Sequence, residues 1–372
     1  TDLSLIAVLE RDGNLELQRV AVGEHILLGG DNMDLALAYG LARKLAQEGR
    51  QLDAWQTRAL SHGCRSAKEQ LLADENLQSV PVVVPSRGSK LIGGSIRTEL
   101  TRTEVLAMLV EGFFPKVNAA DKPQTRARAA LTQLGLPYAQ DAAVTRHLAA
   151  FLSRQAGATE QIDGLQGTQP AGAGFLHPSA ILFNGGVLKS TQIEQRIVNV
   201  INGWLATENA PALRVLDGAN LDLAVARGAA YYGHVRQGRG VRIRGGTAQS
   251  YYVGIESNMP AIPGMEPPIS ALCLAPFGLE EGSEVALDGE EFGLVVGEPV
   301  RLRFFGSSVR RSDAVGTMLD FWGPEELVEL QEIEATLPAE GRNAGDVVPV
   351  TLLARVTDIG TLELNAVPVG GS

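Results

Sequence analysis

Three features of this chain carry residue types and spacing that could do chemistry: the diglycines Gly29-Gly30 and Gly185-Gly186, and Lys68. The stretch Ala180-Ile-Leu-Phe-Asn-Gly-Gly-Val-Leu-Lys-Ser190 puts an apolar run before its glycines and a helical pattern after them. A strand ending in two residues without side chains lets a ligand approach the backbone, and a helix start aims N–H groups at it. An anion, above all a phosphate, suits such a turn. Two glycines also serve where a chain simply turns, so the pattern leaves both readings open. Leu27-Leu-Gly-Gly-Asp-Asn-Met-Asp34 repeats the theme and includes an Asp able to cap the helix that follows. Lys68 falls off the apolar stripe of its helix, where a lysine is ordinarily solvated.

The elements that must position these residues follow from periodicity. Residues 2–23 have hairpin form: Leu3–Leu9, a turn at Asp12-Gly13-Asn14, then Leu15–Val22. Leu35, Ala38, Leu41, Ala42 and Leu45 share one helix face, and Asp53 opens a helix with Leu60, Cys64, Ala67 and Leu71 on its stripe. Strands are expected over Ser79–Pro85 and Lys90–Leu100, and Thr101-Arg-Thr-Glu104 is a capping box opening a helix through Phe113. Helical signals run over residues 117–155, best in Ala139–Gln155, while Gly157–Gly174 lacks a core pattern and reads as a mobile loop. Ile181, Leu182 and Phe183 read as a buried central strand. Thr191 and Glu194 have capping-box spacing, and Ile193, Ile197, Ile201 and Trp204 lie on one face of the next helix. The helix after Asn220 gathers Ala224, Gly228 and Ala229.

Past Gly240-Val-Arg-Ile-Arg-Gly-Gly246 the character changes. Gly and Pro punctuate short β-prone runs at Tyr251–Ile255, Ile269–Leu274, Phe292–Val296, Val300–Phe305, Val348–Val356 and Thr361–Val367, a β-sandwich pattern. Residues 307–345 are polar, with one helix turn expected near Pro324–Leu330. The expected domains are 1–240 and 247–372, joined by a linker at 241–246.

At 372 residues, 45% hydrophobic and 20% charged, the chain has room for two domains with their own cores. A net charge of −11, without a basic cluster interleaved with aromatics, argues against nucleic acid and against an anionic membrane surface as partner. No apolar run approaches membrane-spanning length. Cys64 and Cys273 read as small buried hydrophobes in a reducing, cytoplasmic compartment. The opening Thr-Asp-Leu-Ser-Leu-Ile-Ala-Val reads as a strand already under way, as if cut from a longer protein.

Taken in order, Leu28-Gly-Gly-Asp-Asn-Met-Asp34, Ile181-Leu-Phe-Asn-Gly-Gly186 and Asp222-Leu-Ala-Val-Ala-Arg-Gly-Ala-Ala230 resemble the second lobe of the heat-shock 70 (DnaK-like) chaperone ATPase. Leu60-Ser-His-Gly-Cys-Arg-Ser-Ala-Lys68 resembles that family's adenosine-side helix, and Leu100-Thr-Arg-Thr-Glu-Val-Leu its next strand-to-helix junction. Tyr252-Val-Gly-Ile-Glu256 and Asp358-Ile-Gly-Thr-Leu-Glu-Leu-Asn-Ala366 resemble strands of its peptide-binding β domain, while residues 117–178 look inserted.

The resemblance implies an α/β actin-like (ribonuclease-H-like) ATPase lobe followed by a small β-sandwich. It implies ATP or ADP with Mg²⁺ as cofactor, and unfolded or extended polypeptides, with co-chaperones, as partners. Gly29, Gly30, Gly185 and Gly186 would line the nucleotide cleft, Lys68 would reach the ribose, and Asp222 would stand at the far wall of the adenosine pocket. Ile255, Ser257 and Asn258 would lie near the peptide cleft. Thr1-Asp2 matches the tail of the family's phosphate loop, so the catalytic carboxylates and metal ligands of the other lobe are not expected here, nor is hydrolysis by this stretch alone. Arg65 stands where the family has an acidic residue, Glu69 where it has a basic one, and Leu72 where serine is usual. Val187-Leu188 replaces Ser-Thr, while Lys189 keeps a cation where Arg is usual, and the linker is basic rather than leucine-rich and acidic. A non-catalytic interaction scaffold and an actin-fold small-molecule kinase relative are the alternatives.

Overall fold

The computed structural model describes residues 1–369 except 12, 24, 86–94, 126–137, 219, 242, 245, 248, 257–266, 288–290, 331, 340 and 358–360. Asp12, the first part of Lys90–Leu100, Asp358-Ile-Gly360, and Ser257 and Asn258 therefore lie outside the described residues. The chain divides into two compact units, Thr1–Leu3 with Glu24–Arg239 and Ser4–Gly23 with Gly240–Ser372. The first unit mixes helices with small sheets, and the described elements of the second are strands in mostly antiparallel sheets. Among the described residues no helix is long and apolar enough to cross a membrane.

The hairpin forms as β1 (Ser4–Arg11) and β2 (Asn14–Val22), paired from Ser4↔Val22 to Arg11↔Asn14 with a shift after Leu5. It groups with the second unit rather than with the residues that follow it.

The first unit is built on α1 (Gly30–Gln47) and α2 (Ala54–Ala73). Met33, Leu37, Leu41 and Leu45 of α1 are buried, as are Leu60, Cys64, Ala67 and Leu71 of α2. Leu35, expected on the core stripe, is instead 44% exposed, because the stripe of α1 runs through 33, 37 and 41. A reciprocal cap starts α2: the Gln56 N–H donates to Asp53 Oδ1 at 2.7 Å and the Asp53 N–H to Gln56 Oε1 at 3.0 Å. β3 (Ser79–Val84) and β4 (Ile96–Thr101) pair antiparallel beside α2. The Thr101–Glu104 capping box opens α3 (Arg102–Leu106), but the expected run through Phe113 widens into a π-turn over Ala107–Glu111.

After α4 (Val144–Arg154), the segment expected to be an unanchored loop is held at several points. Ala158 and Ile162 are buried, and the Gln169 amide donates to the carbonyls of Ala156 and Phe175 while its oxygen accepts from the His177 N–H. The expected central strand is short: β5 (Ala180–Ile181) pairs parallel with β6 (Arg214–Val215), and Leu182 is 61% exposed. Ile193, Ile197, Ile201 and Trp204 are buried along α5 (Thr191–Thr207). Its expected Thr191–Glu194 capping box does not form, because Thr191 is already helical and Ser190 is the cap residue. α6 (Ala224–Val235) buries none of its residues.

In the second unit, β7 (Ile243–Arg244) lies parallel beside β2. One sheet, ordered β14-β9-β8-β13-β15, comprises β8 (Ser250–Glu256), β9 (Ile269–Ala275), β13 (Phe304–Ser307), β14 (Met318–Leu319) and β15 (Val328–Glu329). In the other, β17 (Val347–Val356) pairs with β10 (Glu284–Ala286), β11 (Phe292–Val295) and β18 (Leu362–Pro368). β12 (Pro299–Leu302) and β16 (Ile333–Thr336) form a separate ribbon. Val253, Leu272 and Leu274 of the first sheet share one core with Val348, Val350, Leu352 and Ala354 of the second. Between residues 307 and 345, where a single helix turn is expected, the chain makes short strands tied by polar contacts. Tyr252, fully buried, donates its hydroxyl to Asp313 Oδ2 at 2.7 Å, and Arg310 Nε donates to the same oxygen at 2.7 Å.

Candidate functional site

The start of α1 is the point where the chemistry-bearing residues meet. A Cβ added at Gly30 would stand 3.7 Å from Val187 Cγ2 and 3.8 Å from Lys68 Nζ. The first diglycine, the lysine of α2 and the turn after the second diglycine therefore lie within the width of one side chain. Among the described residues, nothing lies within 4 Å of where a Cβ would be at positions 29, 185 and 186, which leaves those glycine faces open. Gly185 has φ +97°, a conformation a residue with a side chain adopts only under strain.

Neighbouring amides already use part of the backbone donor set. The Gly29 N–H donates to Asn32 Oδ1 at 2.9 Å, and the Gly185 N–H donates to Asn184 Oδ1 at 2.8 Å. An anion placed here would draw instead on the first N–H groups of α1 and of the 3₁₀ turn Gly186–Lys189.

Lys68 is not the solvated lysine its position off the stripe suggests. Its side chain is 10% exposed, and Nζ lies 2.6 Å from Oδ1 of Asp34, which is 2% exposed. The approach falls outside hydrogen-bond alignment, so this is a contact of charges rather than a directed bond. The other oxygen, Asp34 Oδ2, accepts from Arg65 Nε at 2.7 Å, and Arg65 also pairs with Asp31. Two carboxylates thus balance two cations beside Gly30.

Sequence reasoning singled out neither Asp34 as the partner of Lys68 nor Arg65 as a member of this cluster. The available signal was a carboxylate placed directly after Met33 on a buried helix face, since a charge there must find a partner. Cys64 sits one turn before Lys68. Burial first, and then the charge of Asp34, push its thiol up to about 12, so it stays protonated and is no nucleophile at neutral pH.

Lys189 and Asp222 pair with each other across the turn that leads into α6, with side chains 52% and 71% exposed. A pair that open to water holds weakly and yields readily to a ligand. Gly29, Gly30, Lys68, Gly185 and Gly186 thus belong to one locality, and Lys189 and Asp222 to a surface pair beyond it. Ile255, expected near a peptide cleft, packs partly buried against the core shared by the two sheets. Ser257 and Asn258 are outside the described residues. Among the described residues, no group of three His, Cys, Asp or Glu side chains is placed to hold a metal ion. A scan of protein-family models finds no match to this chain, and a search of curated proteins finds none either.

Proposed function

We propose that the chain is part of a nucleotide-dependent, cytoplasmic chaperone of the heat-shock 70 type. In this reading the first unit supplies one wall of an ATP or ADP site, and the β unit holds extended apolar polypeptide. The observation that carries the reading is the meeting of Gly30, Val187 and Lys68, which brings three sequence-distant motifs into one open, glycine-faced corner. The residues fit a phosphate there. The glycine faces leave room, the helix start favours negative charge, and Lys68 would supply a point-charge donor in competition with Asp34.

A bound nucleotide would supply the transferable phosphoryl group, with Mg²⁺ held mainly by its phosphates. The chain's own residues would bind and orient. Gly30 and Gly186 would donate backbone N–H groups, and Lys68 would shift part of its charge from Asp34 toward a ribose hydroxyl or a phosphate. Asp34 would keep Arg65 in place while that happens.

A second reading, a non-catalytic interaction scaffold, draws on a different observation. Lys68 and Lys189 already have carboxylate partners, so any anion must compete for both. Calorimetry with ADP and Mg²⁺ separates the two. The chaperone reading expects weak binding by the parent chain and none by Gly185→Val or Lys68→Ala, each first checked for folding by circular dichroism. Equal affinity in all three would sink the site assignment. Absence of binding in the folded parent, together with saturable capture of apolar heptapeptides, would leave the scaffold reading.

A further inference from the structure

We infer that the groove between α1 and α2 is a binding site for a small carboxylate with an apolar body, separate from the diglycine corner. The groove is open to solvent on one side, has a volume of about 420 Å³ and is lined by Leu35, Tyr39, Ala54, Thr57, Arg58, Ser61 and His62. That volume lies within the range of roughly 300–1,000 Å³ that small-molecule sites occupy.

Its composition is selective. Leu35 and Tyr39, one turn apart on α1, leave 44% and 60% of their surface uncovered and supply the apolar wall. Arg58 and His62, one turn apart on α2, supply the polar one. Among the described residues, no hydrogen bond or ion pair engages Arg58, His62 or the Tyr39 hydroxyl, and no acidic side chain lines the groove. Uncovered leucines are ordinary singly. Here two apolar side chains, an unpaired guanidinium and an imidazole converge on one concavity.

The neighbouring turn explains why the cation of the groove is Arg58. Asp31, one turn before Leu35, holds Arg65, one turn after Ser61, so the charge at that end is already neutralised. The planar fork of Arg58 matches a carboxylate through two parallel N–H···O bonds, while a flat or branched apolar body covers Leu35 and Tyr39. A phosphate of similar charge would leave that apolar wall wet.

Calorimetry on the full chain with phenylacetate and its neutral analogue phenylacetamide tests this. Phenylacetate should bind saturably, with the amide about tenfold weaker, the worth of one charge-assisted hydrogen bond. Arg58→Gln should weaken phenylacetate by a similar factor and Tyr39→Ser should weaken both probes. These positions are exposed, so circular dichroism should match the parent in each variant. The inference does not rest on the nucleotide reading, and ADP affinity should be unchanged in Arg58→Gln. No saturable binding at millimolar phenylacetate would overturn it, as would equal binding of acid and amide or an Arg58→Gln variant that binds like the parent. Tight binding of a short peptide containing Phe and Asp, with the free acid excluded, would give the groove to a polypeptide partner and overturn it too.

Discussion

At the scale of single residues, the buried carboxylates Asp34 and Asp141 are each held by more than one partner. Asp34 and Lys68 come from different helices and would each be costly to bury alone. Asp141 shows the same logic with backbone donors. Burial by itself would raise its pKa, but the N–H groups of Gln124 and Ala143 and the guanidinium of Arg146 together outweigh that and hold it below the ordinary 3.8. The Gln124 and Ala143 bonds measure 2.7 and 2.9 Å. A carboxylate with a depressed folded pKa contributes stability that is present above its ordinary value and lost as pH falls through the folded one. Asp141→Asn should therefore cost about 1–2 kcal/mol at neutral pH. Its urea-unfolding stability should converge with the parent's as pH falls below 3.8. Parallel curves across that range would remove Asp141 from the acid response.

At the scale of elements, close approach decides more than propensity. α2 packs so tightly on β3 that a Cβ at Gly63 would lie 2.7 Å from Val82 Cγ1, with Val82 only 2% exposed. Alanine at an exposed helix position would gain up to about 1 kcal/mol over glycine. Here overpacking against a stiff β-branched side chain should reverse the sign, with a net loss of about 1–2 kcal/mol. Thermal unfolding of Gly63→Ala, and its rescue by Val82→Ala in the double variant, checks this. An unchanged or higher Tm in the single variant would contradict the packing account. Gly246, inside the second unit, shows the same constraint more severely: at φ +34°, it has the Leu279 carbonyl oxygen 2.1 Å from where a Cβ would stand.

At the scale of the whole molecule, each compact unit holds one buried, free cysteine, Cys64 in the first and Cys273 in the second. Burial is the leading cause that pushes both thiols up to about 12. A protonated, occluded thiol reacts only when its surroundings open. Neither cysteine should react with iodoacetamide in the native chain at neutral pH, and in rising urea each should label when its own unit unfolds. Peptide mass spectrometry then gives two unfolding curves from one sample. Rapid native labelling of either thiol would refute its burial, and coincident curves would show that the units unfold as one.

The sequence by itself determined whatever depends on local periodicity and capping. The buried faces 60, 64, 67, 71 and 193, 197, 201, 204, the Asp53 and Thr101 caps, and the main strands of the β unit were legible because each is a property of a dozen contiguous residues. The glycine motifs were legible as candidates for the same reason. Only the tertiary structure decided that Gly30, Lys68 and Val187 share a corner, and that Lys68 is buried against Asp34 rather than solvated. It also decided that the opening hairpin groups with the second unit, and that the strand at Ala180 stops after two residues. Those outcomes turn on which surfaces meet across long stretches of chain. A charge can lie on a buried helix face only when a partner arrives from elsewhere, and one chain segment does not encode that arrival.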